Sequence, residues 1–317
     1  MSTRVGFVGL GNLGAHLAGS LVRAGFDVSV HDLDADRAAE LVAAGARWRP
    51  SPAALAADVD AVITCLPSPA ASAAVLTGPA GVLAGLAQGG VWIEMSTNDR
   101  AEIQRIATLA AQGGVVTLEA PVTGGVHLAA AGLITVLVGG PTEQFERFRP
   151  VFEAVGREVF HVGPLGSASV LKVITNMLAF THLVAAGEAL MLARRGGIDL
   201  ATAYHAICAS SGTSFVHETE SQLVLSGSYD IAFTMELACK DLGFASELGR
   251  EFGVPLELAQ QVERTFHRAR DEYGADAWST MVVKLLEDAV GVDLRATGFP
   301  ARLEPPQPAR QAPAAPA

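Results

Sequence analysis

Lysine is almost missing from this chain. Of 22 Lys and Arg residues among 317, only Lys172, Lys240 and Lys284 are lysines. Where Arg is the default cation, a Lys marks a place that needs a compact ammonium able to lose its proton. Cysteine is scarce as well: Cys65, Cys208 and Cys239 are widely spaced and odd in number. That pattern excludes a disulfide framework and a metal or redox motif, and it fits thiols kept reduced in the cytoplasm. Charged residues are 17% of the chain against 50% hydrophobic, which excludes a disordered protein and implies a large core. Positive charge is in deficit, with a net charge of -11. An acidic surface argues against a nucleic-acid partner, and an anionic substrate would need a local cationic pocket. No run of 18 apolar residues is free of polar interruption. The nearest, Val170 to Leu192, contains Lys172, Asn176, His182 and Glu188, so no membrane span is expected. The first strand pattern begins at about Arg4, which leaves no room for a signal or transit peptide.

Glycine, by contrast, is placed with purpose at the start. A short apolar strand, Val5 to Val8, runs into Gly9-x-Gly11-x-x-Gly14, and a helical pattern follows to Ala24. Strand, glycine turn and helix in that order make a dinucleotide fingerprint. Gly9 permits the tight turn, Gly11 lets backbone approach a pyrophosphate, and Gly14 lets the helix pack on the strand. The free N–H groups at the helix start, from Asn12 and Leu13 onward, would face the phosphates. A second strand, Asp27 to His31, ends at Asp32, 23 residues past Gly9, where a ribose-binding acid is expected. Its carboxylate would accept from a ribose 2′-hydroxyl and repel a 2′-phosphate, which favours NAD over NADP.

Strands and helices then alternate. Apolar strands are expected at Ala61–Leu66, Val91–Met95, Val115–Leu118, Ile134–Val138 and Glu158–Val162. This rhythm predicts an α/β fold, a Rossmann-type doubly wound parallel sheet with helices on both faces. Ligands bind such sheets at the carboxyl ends of the strands. Those ends carry Leu66-Pro67, Ser96-Thr97 and Thr123-Gly124-Gly125. After Gly163 the strand pattern stops, and helical periods are broken only by glycine- and serine-rich turns. We read residues 1–163 as an NAD-binding domain, 164–300 as an all-helical domain for substrate binding and dimerisation, and 301–317 as a disordered Pro- and Ala-rich tail.

The helical domain opens on the stretch around which the chain is organised. Val170, Leu171, Val173, Ile174, Met177, Leu178, Phe180, Leu183 and Val184 leave a helix apolar nearly all round, the mark of burial on every side. Lys172 inside it is costly, because burial disfavours its charged form. Asn176 lies four residues on and leaves the helix on the same face. So apolar a helix has more sides than a domain of roughly 130 residues covers easily, which points to an oligomer. Later, Lys240 precedes Asp241 on another apolar helix. The two are sequence neighbours and are not expected to face each other.

Together these motifs resemble the β-hydroxyacid dehydrogenases, the family of 3-hydroxyisobutyrate dehydrogenase and tartronate semialdehyde reductase. The resemblance covers roughly residues 4–300. Gly6 to Gly14 is similar to the family's cofactor motif, and Leu66-Pro67 and Ser96-Thr97 to its nicotinamide-side loops. Ala120 to Gly125 is similar to its substrate motif, Lys172 to Asn176 to its catalytic motif, and Lys240-Asp241-Leu242-Gly243 to its late Lys-Asp motif. The resemblance implies NAD as cofactor, held by Gly9, Gly11, Asn12, Leu13, Gly14, Asp32, Leu66, Pro67, Thr97 and Lys240. It implies a small hydroxy acid whose carboxylate is held by Thr123, Gly124 and Gly125. Lys172 is the implied general acid/base, Asn176 its orienting partner, and a homodimer or homotetramer the implied assembly. No metal is expected. The departures lie near the pocket: Thr123 stands for Ser, Thr175 for Asn, Ser68-Pro69 follow the Leu-Pro loop, and Gly132-Leu133-Ile134 replaces Gly-Thr-Leu. They leave the substrate open. Two rival readings are an imine reductase-type enzyme and a non-catalytic NAD-binding sensor; relatives of both kinds lack the Lys. The decarboxylating 6-phosphogluconate dehydrogenases share the cofactor domain but have a much longer helical part.

Overall fold

The computed structural model describes residues 3–305. The expected tail lies outside the described residues from position 306 onward. Nine strands form one sheet: β1 (Arg4–Val8), β2 (Asp27–His31), β3 (Arg47–Trp48), β4 (Ala61–Thr64), β5 (Val91–Glu94), β6 (Val116–Glu119), β7 (Val122–Thr123), β8 (Ile134–Gly139) and β9 (Gly156–Gly163). The spatial order is β3-β2-β1-β4-β5-β6-β8-β7, with β9 also paired to β8. The first six are mutually parallel. β8 runs antiparallel to β6 and β7 and parallel to β9. The sheet is therefore parallel-dominated, as its alternating pattern predicts.

Every residue of β4 and β5 is buried, which only a sheet covered on both faces produces. Successive strand residues divide between two cores. Val5, Phe7, Ile63 and Ile93 pack with Leu17, Leu21, Phe148 and Phe152 of the helices Gly14–Arg23 and Thr142–Val155. Val8, Val62 and Trp92 pack on the other face with Leu55, Leu76, Ile103 and Ile106. Strand ends differ slightly from expectation, with β4 stopping at Thr64 and β5 at Glu94, before their chains turn into ligand-side loops. The two-residue strands β3 and β7 are too short to show as patterns.

After Gly163 the regular elements are helical. The first, Ser167–Arg195, is 29 residues long. It packs on β8, β7 and β9 and on the helices Phe215–Ser226, Met235–Phe252 and Glu257–Tyr273. By length and composition alone it could cross a membrane, but here one side is committed to these neighbours. It is not buried on every side. Ile174 is 39% exposed, Leu178 46% and Leu192 75%, while Val173, Leu183 and Leu190 are buried. Among the described residues the packing partners lie on one side only, and an outward apolar stripe of Ile174, Leu178 and Leu192 is exposed.

Candidate active site

The parallel strands β1, β2, β4, β5 and β6 all end on one side of the sheet, and the end of β6 meets the start of the long helix. At β1 the backbone of Gly9 takes φ +99°, and a Cβ there would overlap the Cys65 carbonyl oxygen at the end of β4. A Cβ on Gly14 would overlap the Gly9 carbonyl oxygen. Both glycines are thus required by close backbone approach. Gly11 has space in front of it, with only the Arg37 guanidinium within 4 Å of where a Cβ would stand. The N–H groups of Gly11, Asn12 and Leu13 donate to no acceptor among the described residues. Unspent donors at the start of a helix, behind a glycine turn, suit a pyrophosphate. Asp32 sits at the end of β2. Its Oδ2 accepts from the Leu10 N–H at 2.6 Å and its Oδ1 from the Asp34 N–H at 3.0 Å. The acid that would meet a ribose also ties the glycine loop to β2. These features fit a dinucleotide.

The second and third loops are braced from behind. Ser96 Oγ accepts from the Leu66 N–H at 2.7 Å, and the Ser96 N–H donates to Glu94 Oε1 at 2.7 Å. This links Leu66-Pro67 to Ser96-Thr97 through one serine. Glu94 is 1% exposed, and burial pushes its carboxyl above the usual range despite the hydrogen bond from the Ser96 N–H. Burial likewise pushes the Cys65 thiol up to about 12, away from the reactive thiolate.

Lys172 is 8% exposed, as its apolar neighbours predict. Its Nζ donates to Asn176 Oδ1 at 2.7 Å. Asn176 Nδ2 donates onward to Asp241 Oδ2 at 2.6 Å. Asp241 is 1% exposed, and its Oδ1 accepts from Lys240 Nζ at 2.6 Å. Lys240 also donates to the Thr97 carbonyl at 3.2 Å and lies 4.8 Å from the centre of the Phe244 ring. One hydrogen-bonded line therefore runs from Lys172 to the loop at the end of β5. Desolvation draws the Lys172 ammonium down from 10.5 to about 8; Asp241 opposes this and Lys240 adds to it. The expectation that Lys240 and Asp241 do not face each other fails. The four-carbon stem of Lys240 bends back along the helix, and the buried carboxylate, with no solvent to turn to, draws it in.

Thr123, Gly124 and Gly125 follow β6 on the side where β7 meets the long helix. Gly124 and Gly125 have φ +127° and +87°, so their N–H groups are presented in a way a side-chain-bearing residue would not easily allow. Over Gly125 stands His127, whose ring stacks on Phe215 with centroids 6.2 Å apart and planes at 15°. Burial holds the His127 imidazole below its ordinary pKa. His127 belongs to the short helix Val126–Ala130 and Phe215 to the helix Phe215–Ser226, so the stack joins the part before Gly163 to the part after it.

The site residues expected from sequence thus fall at one end of the sheet, and Lys172, Asn176, Lys240 and Thr97 are joined by hydrogen bonds. Asp241, for which the sequence motif implies no role, is the residue on which the line turns. Its only sequence signal is a carboxylate on an apolar helix. Glu94, Glu119, His127 and Phe215 carried no signal of their own. Among the described residues no group of three His, Cys, Asp or Glu side chains could hold a metal.

Residues 4–163 match the family described as the NAD binding domain of 6-phosphogluconate dehydrogenase, and residues 166–286 match the NAD-binding family of NADP-dependent 3-hydroxyisobutyrate dehydrogenase. The chain is 33% identical over 294 residues to the 2-(hydroxymethyl)glutarate dehydrogenase of Eubacterium barkeri, covering 92% of this chain and 98% of that one. It is 35% identical over 281 residues to the L-threonate dehydrogenase of Escherichia coli K12, covering 88% and 93%. The solved 3-hydroxyisobutyrate dehydrogenase of Salmonella typhimurium superposes with a TM-score of 0.83 at 32% identity, over 90% of this chain and all of that one.

Proposed function

The chain belongs to the β-hydroxyacid dehydrogenases, and from that premise we propose that it interconverts a small 3-hydroxy acid, 3-hydroxyisobutyrate-like, and its semialdehyde with NAD, using Lys172 as general acid/base. The observation that carries the reading is the buried line Lys172–Asn176–Asp241–Lys240.

Bound NAD supplies the hydride acceptor for oxidation, and its reduced form the hydride for reduction. The chain's own residues handle the proton and the geometry. A Lys with its pKa near 8 is partly neutral at physiological pH, and a neutral Nζ accepts the substrate hydroxyl proton as the carbonyl forms. Asn176 Oδ1 fixes one direction of Nζ, leaving the lone pair to point elsewhere. As the ammonium forms, the charge of Asp241 steadies it through Asn176, and in reduction the same ammonium returns the proton. Thr123 and the N–H groups of Gly124 and Gly125 hold the substrate carboxylate without adding net charge. Lys240, anchored between Asp241 and the Thr97 carbonyl, ties the helical part to a loop that would border the nicotinamide.

The names of the relatives describe hydroxy acids of different size and polarity, so a panel tests the reading best. NAD reduction is followed with 3-hydroxyisobutyrate, 3-hydroxypropionate, glycerate, serine, 4-hydroxybutyrate, threonate and 2-(hydroxymethyl)glutarate. The expected outcome is turnover of at least one with NAD. NAD binding with no turnover would favour a sensor, and reduction of a cyclic imine without hydroxy-acid oxidation would favour an imine reductase.

The uncovered stripe of Ile174, Leu178 and Leu192 supports a homodimer or homotetramer in which a second copy covers the long helix. Sedimentation of the intact chain as a stable 33-kDa species at micromolar concentration would overturn that assignment. The three cysteines, unpaired in the structure, suit a cytoplasmic enzyme.

A further inference from the structure

Glu119 ends β6 and is 1% exposed. Nothing in the proposed chemistry uses it. Its Oε1 accepts from the N–H groups of Gly166 at 2.6 Å and Ala168 at 2.8 Å. Its Oε2 accepts from the Ser169 N–H at 3.0 Å and from the Ser169 hydroxyl. Four donors from the first turn of the long helix thus converge on one carboxylate of the sheet. The slot is shaped for it: a Cβ on Gly139, across the β6–β8 pair, would overlap Oε1.

Two short stretches of chain give this clamp its meaning. Thr123 is four residues beyond Glu119, and Lys172 is three beyond Ser169, less than one further helical turn. β7 and β8 otherwise meet the helix by packing, and along the chain the substrate loop reaches it only through the short helix Val126–Ala130, β8, the helix Thr142–Val155, β9 and a glycine-rich turn. Such a path is too long to set a side-chain position closely. The acceptor oxygens saturate N–H groups that a helix start leaves open, and a carboxylate there is further favoured by the helix dipole.

We infer that Glu119 is a positioning residue that sets the place of Lys172 relative to the substrate loop, and so controls turnover without touching substrate or cofactor. The inference rests on the reading of Lys172 as the acid/base. Gln at this position keeps one acceptor oxygen and turns the other into a donor aimed at the Ser169 N–H. The first turn would then shift rather than unfold, and misplacement by about 1 Å costs on the order of 10²-fold in rate.

The test uses the full-length protein with Glu119→Gln and Ser169→Ala, and Lys172→Met as a reference. Steady-state kinetics, NAD affinity and thermal melting are measured on each. With only three lysines in the chain, ¹³C reductive methylation gives a spectrum simple enough to titrate Lys172 directly, without turnover. Glu119→Gln is expected to lose about 10- to 100-fold in kcat, with NAD affinity and substrate KM little changed and a displaced Lys172 titration. Ser169→Ala is expected to move both readouts the same way by less, and it carries the test should Glu119→Gln fail to fold. Wild-type kcat and an unmoved Lys172 titration in a folded variant would overturn the inference. So would a kcat loss that tracks only the fraction unfolded at the assay temperature. If Lys172→Met stays active, the acid/base reading falls instead; the titration still reports whether Glu119 places the helix, so the two failures are distinguishable.

Discussion

Asn176 Nδ2 lies 2.6 Å from Asp241 Oδ2, and that bond settles which way round the Asn176 amide sits. With its amide nitrogen committed to the carboxylate, its oxygen must face Lys172, and a neutral or charged Nζ can both donate to it. An amide that only accepts from Lys172 never competes for the proton. Asn176 thus links Lys172 to the charge of Asp241 without offering a second base, which is the arrangement the proposed acid/base role of Lys172 requires.

Replacing Lys172 separates a base from a fixed charge. Lys172→Ala is expected to lose most of kcat, about 10²- to 10⁴-fold, while NAD affinity is kept. Lys172→Arg is expected to fail nearly as badly, since a guanidinium stays protonated and is bulkier. Near-normal oxidation of the best substrate by Lys172→Arg would make the residue an anchor for the substrate carboxylate rather than the base.

The pH dependence tests Asp241. If Lys172 must be neutral to oxidise, kcat/KM rises with pH through about 8 and then levels off. Asp241 holds the Lys172 pKa up, against desolvation and Lys240. Asp241→Asn is therefore expected to move that limb to lower pH while also weakening the hold on Lys240. A limb that stays in place, or moves up, would mean that the titrating group in the rate profile is not Lys172.

These residues mark how far the sequence could be read. The longer parallel strands β1, β2, β4, β5 and β6 and the long helix announce themselves, because short apolar runs bounded by turn residues and a continuous apolar helix have few other stable uses in a chain of this composition. The glycine turn was legible because steric demand on Gly9 and Gly14 leaves a fixed spacing. Asp241 and Glu119 were not, since their roles exist only in partners 65 and 47 to 50 residues away in sequence. The Lys240–Asp241 pair misled because the rule about adjacent helical residues speaks of where stems start, not where a long flexible side chain ends. The exposed side of the long helix misled for another reason: periodicity reports how apolar a face is, and not whether this chain or another copy covers it.

Asp32 should carry the cofactor preference. The wild-type protein is expected to favour NAD in kcat/KM, and Asp32→Ala to gain with NADP by removing a charge from beside a 2′-phosphate. Because Asp32 also holds the Leu10 N–H, that variant should lose affinity for NAD by more than one ribose contact explains. Equal use of both cofactors by the wild type, or no gain with NADP in the variant, would contradict the assignment.

The same burial that would suit Lys172 to its proposed role should weaken the fold at neutral pH. Its pKa falls from 10.5 in the unfolded chain to about 8 in the native one. Below about 8 both states carry the proton, and the native state bears the full cost of a desolvated ammonium. Between about 8 and 10.5 the unfolded state binds a proton that the native state has released, so stability rises with pH across that window. Lys172→Met keeps an unbranched side chain, one atom shorter, and removes the charge. It is expected to be more stable than wild type at pH 7, by up to about 3 kcal/mol. Losing the donor to Asn176 trims this gain by about 1 kcal/mol. The advantage should shrink as pH rises from 8 and vanish above 10.5, which paired denaturant titrations across that range would read. A difference between the two proteins that stays flat from pH 7 to pH 10 would show that folding does not desolvate this ammonium, and the argument for Lys172 as a base poised near neutrality would lose its physical cause.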